Sequence, residues 1–465
     1  MIIAKRLDKS LPGPKGHFLF GLAPVFYKNL HRLYDYQAEM TALYGGRFKE
    51  PWGLMTNNTV YISSPEDLEH VLGENVDNYI KPKYFTTALG EIFTPTLLGL
   101  NHAHTEDGGA RFRLQRKLIA RVFTANHFRE FTRDVFHKHA LRTIDAVLAQ
   151  GGTCEMHKVA SMFTLQTIFD IGLGLSLEDY DPQLGLKFVS TMDNIFLDVA
   201  ARLIYKPYWR YLWWCMPSEY RLKRECRFDA RSDILSMCVR KAHEMEAKSP
   251  DGTSLMDPKT LLSCVTGLLF GGRDTISASL LYSFYKLAEY PAEQDKILAE
   301  LKTINIDKLT YEDIKSLKYL DAFVWEVLRL HPVTPLSNRQ AAEDDVLPDG
   351  TFIPAGTDIS WSAYYIGRNN AKLWGDDQLS FRPERWLEMK KRPTMYEHPV
   401  FQAGLRMCPG MNMALLESKV FIAIMVSRFH VAMQPGEQVK DRPYKIALAM
   451  HMKDGLPLQF TPRTC

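Results

Sequence analysis

The sequence predicts a mainly α-helical fold with small β-sheets, and two observations support this. From Ser64 to about Leu336, apolar residues recur at steps of three and four positions, which is the period of an amphipathic helix. Between His331 and Pro383, proline and glycine become frequent and short alternating pieces appear, which is typical of small sheets and turns. The chain of 465 residues is 46% hydrophobic and 24% charged, a globular composition.

The individual elements follow in chain order. Strands are expected near Gly46–Glu50 and Thr59–Ile62, and Ser64-Pro65-Glu66 has the pattern of a helix start. The clearest helices are expected at Phe128–Leu148, Met162–Gly172, Thr260–Tyr290 and Ile314–Leu330, and short strands at Thr351–Ile353 and Thr357–Ser360. A last long helix is expected from Pro409 to about Arg428.

Charge and cysteine content exclude several classes of protein. The net charge of +3, without a run of like charges, argues against a nucleic-acid partner. Seven cysteines without a C-x-x-C pair argue against a disulfide framework or a structural zinc site, and favour reduced thiols in a cytosol-facing protein. No apolar stretch reaches the roughly 18 residues of a membrane span, so we expect no transmembrane anchor in this chain. Residues 1–16 are expected to form a leader with a Pro/Gly linker, and 17–465 one large domain.

The most informative segment runs from Phe401 to Gly410 and leads into the last helix. A Cys408 thiolate there would be stabilised by the helix dipole and by free backbone N–H groups. Gly404 and Gly410 permit unusual backbone geometry or the close approach of a flat ligand. Arg406 can pair with an anionic group, and Phe401 can pack over the loop. A lone cysteine is usually structural, but the length of the F-x-x-G-x-R-x-C-x-G pattern favours a ligand loop.

A second signal lies inside the long helix near residue 270. Gly271 and Gly272 each cost roughly 1 kcal/mol relative to alanine in a helix interior, and Asp274 and Thr275 follow them. One interpretation is a helix kink at which Thr275 bonds back to the preceding turn. The other is that the acid and the hydroxyl have a function, since both are unusual inside an apolar helix.

A third signal combines two motifs. Glu326 and Arg329 lie three residues apart on one helix face, which alone would indicate a surface ion pair of little value. Arg385 follows in a Phe-Arg-Pro-Glu-Arg-Trp segment. In this order, the E-x-x-R helix, the P-E-R-W segment and the cysteine loop resemble the cytochrome P450 family.

The resemblance implies a cytochrome P450 fold around a buried haem b, with Cys408 as the axial ligand of the iron. It implies a monooxygenase that inserts one atom of O2 into a lipophilic substrate. Asp274 and Thr275 would manage proton delivery. Glu326, Arg329 and Arg385 would form a buried charge network that fixes the cysteine loop.

The resemblance also implies residues for the haem propionates, namely Arg406, Arg339 and Arg116. Phe112 replaces the tryptophan of the family's W-x-x-x-R pattern. Because phenylalanine cannot donate a hydrogen bond, one propionate contact should be missing. The segment is longer than the family pattern, and a solvated basic helix end is the alternative interpretation.

Several segments, including Tyr364–Asn369 and Phe381–Leu387, resemble the fatty-acid ω-hydroxylase branch of the family. This implies hydroxylation at or near the methyl end of a long-chain fatty acid. The expected apolar walls of the pocket are Phe85, Leu89, Ile92, Phe93 and Leu97.

Electrons must come from a separate NADPH–cytochrome P450 reductase, since no dinucleotide-binding or flavin-binding segment is found. We expect the reductase on a basic face near Arg113 and Lys117. The aromatic stretch Tyr208–Trp214 fits either a core cluster or a peripheral membrane contact. Relatives of this branch imply association with the endoplasmic reticulum membrane.

Three alternatives remain open. The first is a haem-thiolate isomerase or dehydratase of fatty-acid hydroperoxides, against which Asp274 and Thr275 argue. The second is a non-catalytic haem-binding protein. The third is a degenerate relative, suggested by Phe112 and the irregular segment before it.

Overall fold

A computed structural model describes residues 10–17, 20–52, 58–90, 96–174, 182–204, 258–440 and 442–463. The helices are α1 (Ala23–Lys28), α2 (Leu33–Leu43), α3 (Pro65–Glu69), α4 (Lys83–Gly90), α5 (Ala110–Val122), α6 (Ala125–Glu130), α7 (His137–Ala149), α8 (Met156–Leu173), α9 (Pro182–Ile204), α10 (Pro258–Glu289), α11 (Pro291–Leu301), α12 (Tyr311–Ser316), α13 (Lys318–Leu330), α14 (Ala363–Ile366), α15 (Ala371–Trp374), α16 (Arg385–Glu388) and α17 (Met411–Arg428).

The strands are β1 (Phe48–Glu50), β2 (Thr59–Tyr61), β3 (Tyr79–Ile80), β4 (Thr153–Glu155), β5 (Leu336–Ala341), β6 (Asp345–Val346), β7 (Phe352–Ile353), β8 (Asp358–Ser362), β9 (Phe429–Met433), β10 (Tyr444–Lys445), β11 (His451–Met452) and β12 (Pro457–Pro462). The prediction of a mainly helical chain with small sheets is confirmed.

Local sequence explains where several elements begin and end. Ser64 caps α3 as expected, because its hydroxyl accepts from the backbone N–H of Asp67 at 3.1 Å. A π-helical turn, Phe131–Phe136, separates α6 from α7 and interrupts the single helix expected there. The helix expected at 314–330 is two helices, α12 and α13. The last helix begins at Met411 rather than at Pro409, because the two residues before it form a turn.

The chain divides into two compact units. Unit 1 comprises Met1–Thr86, Leu100–Arg113 and Leu328–Cys408, and unit 2 comprises Thr87–Gly99, Leu114–Val327 and Pro409–Cys465. The expectation of one haem domain over 17–465 stays a prediction.

Unit 1 is built on a five-stranded sheet in the order β1-β2-β8-β5-β3. Strands β2 and β8 are parallel, whereas β5 runs antiparallel to β8. All five residues of β8 are buried, as expected for a central strand covered on both faces. Ile359 and Trp361 of β8 pack in one apolar cluster with Val60 and Leu72. This sheet holds β5, and with it Arg339, in a fixed register.

Unit 2 is mainly helical. Helices α8 and α10 pack along each other, and α17 packs against both α7 and α10. The rings of Phe163 and Phe421 lie 4.3 Å apart between α8 and α17, where aromatic contact adds to the burial of apolar area. A three-stranded sheet, in the order β4-β12-β9, closes this unit. Within the described parts of the chain, no helix has the length and apolar character needed to cross a membrane.

Candidate haem-binding site

The cysteine loop of unit 1 closes on itself through its backbone. The N–H of Cys408 donates to the carbonyl of Phe401 at 2.8 Å, and the N–H of Met407 donates to that of Gly404 at 3.1 Å. Between them lies a single 3₁₀ turn, Gly404–Arg406. Cys408 and Phe401 are both half-buried. Two backbone hydrogen bonds within the loop therefore hold the chain around Cys408, immediately before Pro409.

The two glycines of the loop have different roles. Gly404 has φ +56°, and a Cβ atom there would lie 1.9 Å from the carbonyl oxygen of Leu72. Any larger residue is excluded by the protein's own backbone rather than by a flat ligand. Gly410 has φ −91°, which every residue type adopts. The expectation of unusual backbone geometry is thus wrong for Gly410.

Arg406 is buried and held by a histidine that the sequence motifs did not mark. Its Nη2 and Nε lie 2.9 Å and 3.1 Å from Nδ1 of His102, and Nη2 also donates to the carbonyl of Leu100 at 2.8 Å. Nε2 of His102 lies 2.9 Å from the carbonyl oxygen of Val76. Arginine only donates and a carbonyl only accepts, so His102 is the neutral tautomer with its proton on Nε2. Burial, followed by the charge of Arg406, lowers the pKa of His102 and favours this neutral form.

Phe112 supports the same arginine. Its ring is fully buried, and the guanidinium of Arg406 lies 4.2 Å from the ring centroid. The ring therefore orients a cation, although it cannot donate the hydrogen bond that the family's tryptophan would supply. Arg116, one turn further along α5, is half-buried and belongs to unit 2.

Arg339 is a second buried cation of unit 1. It donates to the carbonyl of Asn338 at 2.7 Å and lies 5.4 Å from the ring of Trp361. Gln402, in the cysteine loop, accepts from Arg339 at 3.4 Å and donates to Ser337 at 2.7 Å. Burial lowers the pKa of Arg339 to about 10. Its buried Nε has no hydrogen-bond partner within the described structure.

Lys81, Arg339 and Arg406 form what we call the cationic cluster. Burial, and then the positive charges of Arg339 and Arg406, hold the pKa of Lys81 well below its ordinary value. Buried like charges are costly unless an anion joins them. Haem b carries two propionate groups, so this cluster and the cysteine loop, both in unit 1, fit that cofactor in charge and in donor chemistry.

Arg329 and Arg385 share one acceptor in unit 1. Nη2 of each donates to the carbonyl of Ser380, at 3.0 Å and 3.1 Å respectively. Arg329 also donates to the carbonyls of Gly367 and Gln378, and Arg385 to that of Trp374. The two arginines thus tie the segment around residues 367–380 to α13 and α16. Glu326 is fully buried and belongs to unit 2.

The acid and the alcohol of α10 bond in different directions. Helix α10 is continuous across the glycine pair. The hydroxyl of Thr275 donates to the carbonyl of Gly271 at 2.5 Å, as the kink interpretation expects, while Asp274 is fully buried. A Cβ on Gly272 would lie 2.5 Å from the side chain of Ile168, whereas one on Gly271 would meet no atom within 4 Å. Gly272 is therefore required for packing on α8, and Gly271 leaves space open beside Thr275.

Three functional candidates were missed at the sequence level: Lys81, His102 and Gln402. Only Gln402 carried a local signal, because it lies inside the cysteine motif; it adopts φ +61°, which is uncommon for a residue other than glycine.

Of the residues expected to form the apolar walls of the pocket, the structure describes three. Phe85 and Leu89 are buried, and Leu97 is half-buried. Ile92, Phe93 and the aromatic stretch Tyr208–Trp214 lie outside the described residues.

The sequence is similar to known proteins of one family over nearly the whole chain, in agreement with the motifs. The family model described as "Cytochrome P450" matches residues 11–456. Cytochrome P450 94B1 of Arabidopsis thaliana is 28% identical over 488 aligned positions, which cover 99% of this chain and 93% of that protein. Cytochrome P450 94A1 of Vicia sativa is 27% identical, covering 97% and 90%. Cytochrome P450 86B1 of Arabidopsis thaliana is 26% identical, covering 100% and 88%.

Proposed function

Since the chain belongs to the cytochrome P450 family, and is therefore a haem b monooxygenase that receives electrons from NADPH through a partner reductase, we propose that Cys408 is the axial ligand of its haem iron. The observation that supports this assignment is the closed loop in which the Cys408 N–H bonds to the Phe401 carbonyl. A thiolate ligand would donate electron density to the iron when haem is bound.

We assign the haem propionates to the cationic cluster. Arg406 and Arg339 are buried, and the pKa of Lys81 is lowered beside them, so an anion would stabilise all three. His102 and Phe112 orient Arg406, while Arg116 is a further candidate at the surface of α5. We propose that Arg329 and Arg385 act indirectly, by fixing the backbone that precedes the loop, while the part of Glu326 in this network stays a prediction of the sequence.

The chemistry that we propose for unit 2 is proton delivery by Asp274 and Thr275. Thr275 is half-buried beside the open space at Gly271, so its hydroxyl can hold a proton at the edge of that space and, with haem bound, would supply it together with Asp274. This pair favours a monooxygenase that activates O2 over an isomerase or dehydratase of hydroperoxides, which needs no proton delivery to dioxygen.

We propose a long-chain fatty acid as the substrate, hydroxylated at or near its methyl end. The resemblance of Tyr364–Asn369 and Phe381–Leu387 to the fatty-acid ω-hydroxylase branch supports this substrate. Phe85 and Leu89 are buried apolar side chains of the kind that such a pocket requires.

The exposed side chains of Arg113 and Lys117 on α5 suit an acidic reductase surface. We propose that the protein meets its reductase there, at the cytosolic face of the endoplasmic reticulum membrane. Charge reversal at both positions should raise the KM for the reductase and leave substrate binding unchanged. Unchanged reductase kinetics would contradict this assignment.

The assignment of Cys408 as the haem ligand is tested by a reduced carbon monoxide difference spectrum of Cys408→Ser. We expect loss of the thiolate-type absorption band. Cys264→Ser is the matched control, because Cys264 is also a half-buried cysteine, and its spectrum should equal that of the wild type. An unchanged spectrum in Cys408→Ser would refute the assignment.

The substrate is tested by titrating fatty acids of increasing chain length and following the optical spin-state change. Turnover is then measured with NADPH, O2 and reductase, and separately with fatty-acid hydroperoxide alone. We expect hydroxylated product only in the first assay. Product from hydroperoxide alone would instead identify an isomerase or dehydratase. Haem binding without product in either assay would identify a non-catalytic protein.

A further inference from the structure

A group of titratable side chains surrounds Asp274 in unit 2. Its Oδ1 accepts from Nη1 of Arg273 at 3.0 Å, and its Oδ2 lies 3.1 Å from Nε2 of His451, which β11 supplies. Beside Arg273 the acid is a carboxylate, which only accepts hydrogen bonds. Nε2 of His451 is therefore a protonated ring nitrogen directed at Asp274.

A second carboxylate and a second histidine complete what we call the Asp274 cluster: Asp274, Arg273, His451, Asp193 and His157. Nη1 of Arg273 donates to Oδ1 of Asp193 at 2.7 Å, and Nε2 of His157 lies 3.3 Å from Oδ2 of the same carboxylate. The rings of the two histidines meet edge to face, with their centroids 5.1 Å apart.

The charges in the cluster are mutually compensating. Burial acts to lower the pKa of His157, but the hydrogen bond and charge of Asp193 outweigh it, so this pKa is raised. Burial acts to raise the pKa of Asp193, but His157 and Arg273 hold it well below the ordinary value. Glu155 also raises the pKa of His157, whereas the charge of Arg273 lowers it. The contacts between Asp193 and His157 therefore favour the charged form of both side chains.

Exposure increases outward through the cluster. The side chain of Asp274 is 1% exposed, that of His451 12%, that of His157 22% and that of Asp193 34%. His451 is thus the first group that both touches the buried carboxylate and reaches solvent. Nδ1 of each histidine is buried and has no hydrogen-bond partner within the described residues.

We propose that His451 supplies the proton that Asp274 passes on, an inference that rests on the proposed role of Asp274 in proton delivery. In this step the Nε2–H bond of a His451 imidazolium breaks, and an O–H bond forms at Oδ2 of Asp274. Both groups become neutral, and the His451 ring must then turn to bring the deprotonated nitrogen to water, from which it takes its next proton. Arg273, Asp193 and His157 are positioning residues that hold the pair in place. No motif of the sequence assigns a role to His451.

The test is His451→Gln, because glutamine places an N–H donor near the position of Nε2 but carries no titratable proton. Since positioned proton transfer contributes about 10²–10⁴-fold in general and water can partly replace it, we expect product formed per NADPH consumed to fall roughly tenfold. The solvent deuterium isotope effect should grow, while the spin-state change with substrate stays the same. His430→Gln, on the exposed side of β9, is the matched control and should behave as the wild type.

A measurement without turnover checks the hydrogen bond itself. In ¹⁵N-histidine NMR spectra of the diamagnetic carbon monoxide complex, we expect the Nε2–H of His451 to give a downfield imidazole signal, distinct from those of the other hydrogen-bonded histidines. It should be absent in His451→Gln and shifted in Asp274→Asn.

The outcomes separate this inference from the role of Asp274. Impaired coupling in both variants, with unchanged melting temperature and haem content, supports the inference. Impaired coupling in Asp274→Asn alone overturns it and leaves the role of Asp274 standing. Normal coupling in both overturns both assignments. Loss of haem content or thermal stability in His451→Gln in proportion to its activity would show a structural role, and would also overturn the inference.

Discussion

His102 receives two N–H groups of Arg406 on a single ring nitrogen, at 2.9 Å and 3.1 Å, while its other nitrogen is directed at the carbonyl of Val76. The backbone at Val76 thus fixes the tautomer of His102, and the tautomer fixes the guanidinium of Arg406. In a site that we assign to the haem propionates, the orientation of Arg406 depends on a residue three hundred positions away in sequence.

Replacing His102 by alanine should weaken haem retention. The acceptor that two N–H groups of Arg406 share is lost, and a loss of about 1.5 kcal/mol would make haem transfer to apomyoglobin roughly tenfold faster. His102→Gln keeps an acceptor, so its haem transfer rate should lie between those of the wild type and His102→Ala. His104→Asn, at an exposed position, is the control. Equal transfer rates in all four proteins would contradict a role for His102 in haem retention.

Gly404→Ala should damage the cysteine loop more than backbone conformation alone explains. A left-handed residue other than glycine costs about 1–2 kcal/mol. Gly436 has φ +87° with open space around it, so Gly436→Ala measures that cost by itself. At Gly404 the clash with the carbonyl of Leu72 is added, so we expect a clearly lower melting temperature and lower haem content. Similar losses in both variants would contradict the steric argument.

Arg385→Lys should destabilise unit 1. Lysine cannot reproduce the fork that reaches the carbonyls of Trp374 and Ser380, so buried acceptors lose their partner and we expect a loss of about 2 kcal/mol or more in the free energy of unfolding. Arg382→Lys is the control, because Arg382 is 37% exposed and its ion pairs should contribute about 1 kcal/mol or less. Denaturant unfolding of the two variants gives the comparison. Equal losses of unfolding free energy in the two variants would show that the buried hydrogen bonds of Arg385 contribute no more than the exposed ion pairs of Arg382.

The buried carboxyl group of Glu417 should make the stability of the folded protein depend on pH. Burial raises its pKa from 4.5 to about 8, although the hydroxyl of Thr167 donates to it at 2.6 Å. The folded protein therefore binds this proton more tightly than the unfolded chain. The associated stability is fully present below pH 4.5 and is lost as the pH rises through about 8.

Glu417→Gln should abolish that loss. Melting temperatures between pH 5 and pH 9 would fall for the wild type and for the exposed control Glu106→Gln, and less steeply for Glu417→Gln. Parallel pH profiles for the three proteins would show that Glu417 does not titrate in this range.

Local signals in the sequence were sufficient for many of the elements and for the cysteine loop. The serine cap at Ser64, the apolar period of α10 and the turn before α17 act over a few residues, so they can be recognised without the fold. The spacing around Cys408 likewise determines a loop that closes through its own backbone.

The supporting contacts were decided only by tertiary structure. Nothing near Lys81 or His102 in the sequence indicates that they approach Arg406, and Gly404 is required by a carbonyl more than three hundred residues away. Burial is also a tertiary property, and burial decides whether a charge needs a partner. The sequence by itself therefore determined the helical class, the haem-thiolate chemistry and the family, because those depend on residues close together in the chain. The tertiary structure decided which distant side chains orient Arg406 and Asp274, because hydrogen bonds and desolvation depend on distance in space.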